Sequence, residues 1–384
     1  MNQKQIDKII VKLFDNTISD KESEVLKKWL QYEDNLSYFN QFVEINHLTN
    51  SLTRFSYELP LEKVLTQTLV KPKKFNALYK YGIAASLILF VTFNFIFNKN
   101  NLIIDEPVHQ PETVNNKIEA GTDKAILTLE DGSYVALEKG QEYSTNNLTS
   151  NGEELIYVNS NSNKTEIAFN YLTIPRGGQY FIKLSDGTQV WLNSESQLKY
   201  PVRFINGETR KVELVYGEAY FDVSPSEEHG GDKFSVLNNG HEVNVLGTEF
   251  NIKAYKDESH IYTTLIEGLV AVKIEDKEQN LKPNQQSSFN LNTNALSVAV
   301  VDVYNETSWK DGLFSFERKP LKDIMKVLSR WYDMEVVFVN NEVGEQKFIG
   351  VLGKDQNIEE ILSIIKNFKI IKNYEIKDKT ILLE

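Results

Sequence analysis

Residues 127–140 read LTLEDGSYVALEKG and residues 182–193 read IKLSDGTQVWLN, two phrases that share the pattern L-x-D-G-[ST]-x-V-x-L. On both sides of the Asp-Gly pair, apolar residues alternate with polar ones, the period of a half-buried strand. Gly supplies the positive φ of a tight turn, and an Asp side chain accepts from the backbone just beyond it. The phrases therefore predict two similar hairpins, with Asp131, Gly132, Asp186 and Gly187 as turn residues. Working outward, VELVYGEAYFDV at 212–223, HEVNVLGTEFNI at 241–252 and TTLIEGLVAVKI at 263–274 continue the short-strand texture. An all-β sandwich or roll is expected over residues 118–300.

Beyond it the texture changes. WKDGLFSF at 309–316 reads as a strand behind a turn. Leu321, Ile324, Met325 and Leu328 then recur at helical spacing, EVVFV at 335–339 is a strand, and a second helix is expected around Ile358–Ile365. Residues 308–384 are thus expected to form a small α+β domain.

Upstream, Tyr81–Phe97 (YGIAASLILFVTFNFIF) holds 17 residues without a charge, at the short end of the roughly 17–25 that cross a bilayer as a helix. Lys71, Lys73, Lys74 and Lys80 precede the run, while Asp105 and Glu106 follow Lys99. The positive-inside rule then puts residues 1–80 on the cytoplasmic side. Charge divides the same way: residues 1–80 carry 12 basic and 10 acidic side chains (+2), residues 98–384 carry 30 and 44 (−14). The expectation is a multidomain membrane protein with one transmembrane helix over 78–98 and a linker over 99–117. Such a chain would be single-pass in the inner (cytoplasmic) membrane, N-terminus in the cytoplasm and C-terminus in the periplasm.

Residues 1–75 read as a small all-α cytoplasmic domain. Ile6, Ile9, Ile10, Leu13 and Phe14 make one apolar stripe, and Ser19 followed by Glu22 is a capping box opening a helix with Val25, Leu26, Trp29 and Leu30. Leu36, Phe39, Phe42, Val43 and Ile45 extend the pattern into a third helix. A bundle this small struggles to cover every apolar face, so part of the stripe is expected to complete its burial in a partner.

Catalytic chemistry finds little footing. With no cysteine there is no thiolate site, and His47, His109, His229, His241 and His260 show no metal-binding spacing. There is no G-x-S-x-G elbow and no P-loop. No cofactor, metal or enzyme activity is expected. A net charge of −12 argues against direct nucleic-acid binding.

Several phrases together resemble the FecR family of transmembrane anti-sigma regulators. They are Pro175-Arg176-Gly177-Gly178, the DGTQVWLN phrase, Tyr200-Pro201 with Phe204, Gly217-Glu218-Ala219 with Phe221, Leu246-Gly247-Thr248 with Phe250-Asn251, and Glu267-Gly268. Trp309, Gly312, Phe316, Pro320-Leu321 and Arg330-Trp331-Tyr332 resemble that family's C-terminal domain, which is similar to the short signalling (STN) domain of TonB-dependent transducers. The resemblance implies a relay from an outer-membrane transducer in the periplasm to an extracytoplasmic-function sigma factor in the cytoplasm. It implies sigma-factor binding through Ile6, Ile10, Leu13, Phe14, Leu26, Trp29 and Leu30, and transducer binding through Trp309, Phe314, Phe316, Trp331 and Tyr332. Gly247-Thr248 also resembles the Gly-Thr bond at which some members cleave themselves, although a Gly bend in a strand is the favoured explanation, since Gly in a strand commonly marks a bulge. The competing reading is a membrane-tethered periplasmic module that binds a ligand or carbohydrate.

Overall fold

The structure is a computed structural model that describes residues 6, 9–10, 19–30, 32, 35, 39, 117–145, 148–157, 168–274 and 277–384. Among them the chain is mostly β. One sheet runs in the order β2 (Tyr134–Glu138), β1 (Thr122–Thr128), β6 (Phe169–Ile174), β9 (Ser196–Pro201) and β10 (Arg210–Asp222). It continues through β11 (Phe234–Asn238), β12 (His241–Val245), β15 (Val270–Ile274) and β16 (Lys277–Leu281). The other sheet opens with β3 (Tyr143–Thr145), β4 (Leu148–Ser150), β5 (Glu154–Tyr157), β7 (Gly178–Lys183) and β8 (Gln189–Leu192). It reaches β10 again and ends with β13 (Glu249–Ala254), β14 (His260–Glu267), β17 (Gln285–Asn290) and β18 (Ala295–Val300).

Strand β10 belongs to both sheets. Its first half pairs with β9 and β11, the register breaks between Leu214 and Tyr216, and from Gly217 onward it pairs with β8 and β13. Gly217 sits at φ +100 at the corner, and a Cβ there would run into Ser196. A glycine is the residue that fits both demands. The alternate residues of the two sheets face one another in one apolar cluster, with Leu198, Leu214 and Val243 from the first layer and Val190, Phe221 and Phe250 from the second. This is the two-layer packing of a sandwich.

After β18, a short helix α2 (Val303–Thr307) leads into an α+β unit. Strand β19 (Leu313–Pro320) pairs antiparallel with β21 (Lys347–Gly353), and β20 (Glu335–Phe338), β23 (Thr380–Leu383) and β22 (Tyr374–Lys377) form a three-stranded sheet. Helix α3 (Leu321–Tyr332) buries Leu321, Ile324, Met325 and Leu328, the i, i+3, i+4, i+7 stripe of an amphipathic helix. It stops where Asp333 turns left-handed (φ 46). A second helix runs over Ile358–Asn367, behind the short α4 (Asn341–Gly344), and is labelled α5.

Upstream of the sandwich, α1 (Asp20–Trp29) opens with a capping box in which the Ser19 hydroxyl receives the Glu22 amide and the Glu22 carboxylate receives the Ser19 amide. Its Leu26 and Leu30, with Ile6, Ile9, Ile10 and Phe39, belong to the same buried cluster as the α+β unit. The Ser23 hydroxyl donates to the Asn367 carbonyl at 2.8 Å, meeting an acceptor that the end of α5 leaves unfilled.

No separate all-α domain is evident: the described helical residues of the N-terminal segment use their apolar stripe to cover the α+β unit. Periodicity reveals such a stripe but not what it packs against. The single-pass placement with opposite ends across a membrane is also overturned. Among the described residues no helix is long and apolar enough to cross a membrane. Residues 1–48 and 116–384 fall in one compact unit, in which Ser23 and Asn367 are in hydrogen-bond contact. The run at 81–97, the expected crossing helix at 78–98 and most of the 99–117 linker lie outside the described residues.

Candidate functional site

Arg176-Gly177 of one sequence phrase and Arg330-Trp331 of another meet where the sandwich joins the α+β unit. Arg176 stands in the turn from β6 to β7. Its guanidinium donates to the carbonyls of Ser329 at 2.9 Å and Met334 at 2.6 Å and to the Asp333 carboxylate at 3.3 Å. The Gly177 amide donates to the Arg330 carbonyl at 2.7 Å. The last carbonyls of a helix have no partner inside it and carry partial negative charge. A guanidinium and an amide from the sandwich therefore cap α3 from outside. Gly177, at φ +67, turns the loop toward that helix end.

Arg330 answers from the other side. Only 3% of its side chain is exposed, and it donates to Asp257 at 2.6 Å and Glu258 at 2.9 Å while its guanidinium lies 3.6 Å from the centre of the Tyr255 ring. Its Nε lies 3.4 Å from the Glu195 carboxylate but makes no aligned hydrogen bond. Burial, above all, raises the Tyr255 hydroxyl well above its ordinary range, and that hydroxyl donates to the Ser194 carbonyl.

The third tie is Lys354, whose ammonium is buried and lies 3.7 Å from the centre of the Trp331 ring, with Phe314 and Trp309 at 5.6 and 5.8 Å. It donates to the Gln179 side chain of β7 at 2.6 Å, and Gln179 is held in turn by Asp123. Desolvation pulls its pKa from 10.5 to about 7, opposed by the more distant charges of Glu218 and Asp123. The indole of Trp331 donates to the Lys354 carbonyl at 2.8 Å and lies against Gly121, where a Cβ would collide with the ring.

Glu218 lies behind this joint. The side-chain amides of Asn193 and Asn251 donate to its two oxygens at 2.9 and 3.0 Å, so three separate phrases meet on one buried carboxylate. Burial raises its pKa, and Lys253 and the two amides hold it back. Lys253 also pairs with Glu258 at 3.1 Å. A polar cleft of about 470 Å³ opens above Lys253 between β14 and α3. The site offers tight polar recognition between two folded parts. Among the described residues it presents no group of side chains able to hold a metal ion.

The turn residues occupy turns, and one does more. Asp131 accepts from the Ser133 amide and hydroxyl. Asp186 accepts likewise from Thr188 and also pairs with Arg210 at 2.7 Å, both side chains 2% exposed. Gly132 and Gly187 take φ of 82 and 89. Among the sigma-face residues, Ile6, Ile10, Leu26 and Leu30 are buried and Trp29 is half-buried, while Leu13 and Phe14 lie outside the described residues. Trp309, Phe314, Phe316, Trp331 and Tyr332 are all buried, at most 7% exposed, so a partner meeting the folded unit touches what surrounds them. Thr248 is buried beside Gly247 and its hydroxyl donates to the Leu269 carbonyl at 3.1 Å. His241 is buried and burial lowers its pKa to about 4, so it is uncharged near neutrality.

Sequence reading missed Lys354, Gln179, Glu195, Asp257 and Glu258. Each is a single polar residue in a turn or at a strand end, and nothing local marks the partner it meets far along the chain.

The model described as FecR protein matches residues 170–271, and the model described as FecR, C-terminal, matches residues 313–383. Two crystal structures of a candidate anti-sigma factor from Parabacteroides distasonis are similar at 29% identity and a TM-score of 0.50, over 56% of this chain and 98% of that one. No curated protein matches significantly. These matches are to a regulatory rather than an enzymatic class of proteins. The chain belongs to the FecR family of anti-sigma factors.

Proposed function

We propose that this anti-sigma regulator holds an extracytoplasmic-function sigma factor, and that its α+β unit answers to the signalling domain of a TonB-dependent outer-membrane transducer. The observation that carries the reading is the joint. Arg176, Arg330 and Lys354 tie the family's two matched regions together, so a partner bound to the α+β unit acts on the sandwich as well. The same unit covers Leu26 and Leu30 of α1.

A sigma factor gripping the stripe of Ile6, Ile10, Leu13, Phe14, Leu26, Trp29 and Leu30 must draw its buried members away from that unit. The stripe then has two exclusive uses, and a transducer shifts the balance to the extent that it prefers one of them. DNA would be contacted by the sigma factor, since a chain of net charge −12 lacks the clustered cations that neutralise phosphates.

The test is co-purification of cellular proteins on the tagged full chain and on Trp29→Asp, which changes the half-buried member of the stripe. A sigma factor recovered with the wild type and lost from a folded Trp29→Asp supports the proposal. Recovery of no sigma factor with the wild type overturns it.

A further inference from the structure

The sandwich has four strand edges, and one is built unlike the others. Among the described residues β2 pairs with β1 alone, β16 with β15 alone, β3 with β4 alone and β18 with β17 alone. A free edge offers unpaired amides and carbonyls, and stable proteins blunt it with charge or by keeping it short. β3 is three residues long, β16 carries exposed Lys277 and Glu278, and β2 ends in exposed Glu138. β18 is six residues, ALSVAV, with neither charge nor proline.

Its side chains give a second, independent sign. Leu296 and Val298 lean on the sandwich core, and Val300 shares their face by the two-residue period, yet Val300 is 77% exposed. An inward row that ends in open solvent is a core margin left uncovered.

We propose that β18 is a self-pairing edge that joins two copies of this chain, antiparallel, about a two-fold axis at Val298. In that register Val298 faces Val298, Leu296 faces Val300, and Ser297 faces Ala299. Apolar meets apolar on the inner face and small meets small on the outer face, the self-complementarity that an isologous interface requires. No charge opposes a like charge, although each copy carries −12 overall. The two edge-ending sheets become one continuous sheet, and the exposed row is closed from both sides.

Because the protein has no cysteine, a single introduced thiol reports the contact unambiguously. The purified full chain is examined by light scattering across concentration, alongside Val300→Lys, a change at an exposed position that leaves the monomer's packing intact. Val298→Cys and, as a control, Ser133→Cys in an exposed turn are exposed to mild oxidant. Expected are a dimer that tightens with added salt as the like net charges are screened, a monomer for Val300→Lys, and linked dimers for Val298→Cys well above Ser133→Cys. Cβ atoms facing across the axis are within disulfide reach. A monomeric wild type at every concentration, a Val300→Lys chain that dimerises unchanged, or equal linking by the two thiols would each overturn the proposal.

Discussion

Two cations are buried in this protein under opposite terms. Arg210, inside the sandwich, meets the Asp186 carboxylate at 2.7 Å and the carbonyls of Ser224 and Asp232 at 3.1 and 3.2 Å. Lys354, at the joint, meets an amide oxygen, a carbonyl at 3.4 Å and the face of a tryptophan, with no carboxylate in ion-pair contact among the described residues. The difference shows in charge. The first cation is matched by a carboxylate, while burial works against the charge of the second and lowers its pKa to about 7. The sandwich is held by a closed ion pair, and the joint by a group that gives up its proton within the ordinary pH range.

The largest test of the contrast is Asp186→Ala. It strands a buried guanidinium and removes a turn acceptor, and should cost about 3–5 kcal/mol in urea unfolding. Changing both partners, Asp186→Leu with Arg210→Met, should cost far less, because an apolar pair of similar volume replaces the charges instead of orphaning one. Equal losses in the two proteins would mean that shape, not charge, holds this site.

At the joint, Gln179→Leu removes the nearest acceptor of the Lys354 ammonium and should cost about 1–3 kcal/mol, the usual penalty of an unsatisfied buried polar group. Lys354→Met should change stability less, and its signature is the pH profile. Between about pH 7 and pH 10.5 the unfolded chain holds a proton that folded Lys354 has shed. The wild type should therefore gain stability relative to Lys354→Met as pH rises through that window, with a slope approaching about 1.4 kcal/mol per pH unit. Parallel profiles for the two proteins would show that the lysine keeps its charge at the joint. Smallest of all is Lys139→Ala, which breaks an exposed pair with Glu153; the unfolding midpoint should not move.

What could be read in the sequence follows from how local each signal is. The Asp-Gly turns and the alternation around Val135 and Val190 are set by neighbours two or three residues away, and so is the Ser19–Glu22 cap. The phrases holding Asn193, Glu218 and Asn251 stood out as motifs, but that they meet on one carboxylate depends on β8, β10 and β13 lying side by side. The five aromatics of the α+β unit were legible as important and not as interior, because an aromatic in a core and one on a docking face look alike in one dimension. The helical stripe at the N-terminus misled for a related reason: amphipathicity states that a face is covered and leaves its cover unnamed.

Strand β10, shared by both sheets, also determines how the molecule would carry load. Glu218 lies just past its corner, and the amides gripping that carboxylate come from the neighbouring strands β8 and β13. Tension entering through the α+β unit arrives beside this corner and is distributed to both layers at once. Neither layer can peel from that strand while the other stays loaded, so under a pulling force the sandwich should give way in one abrupt step.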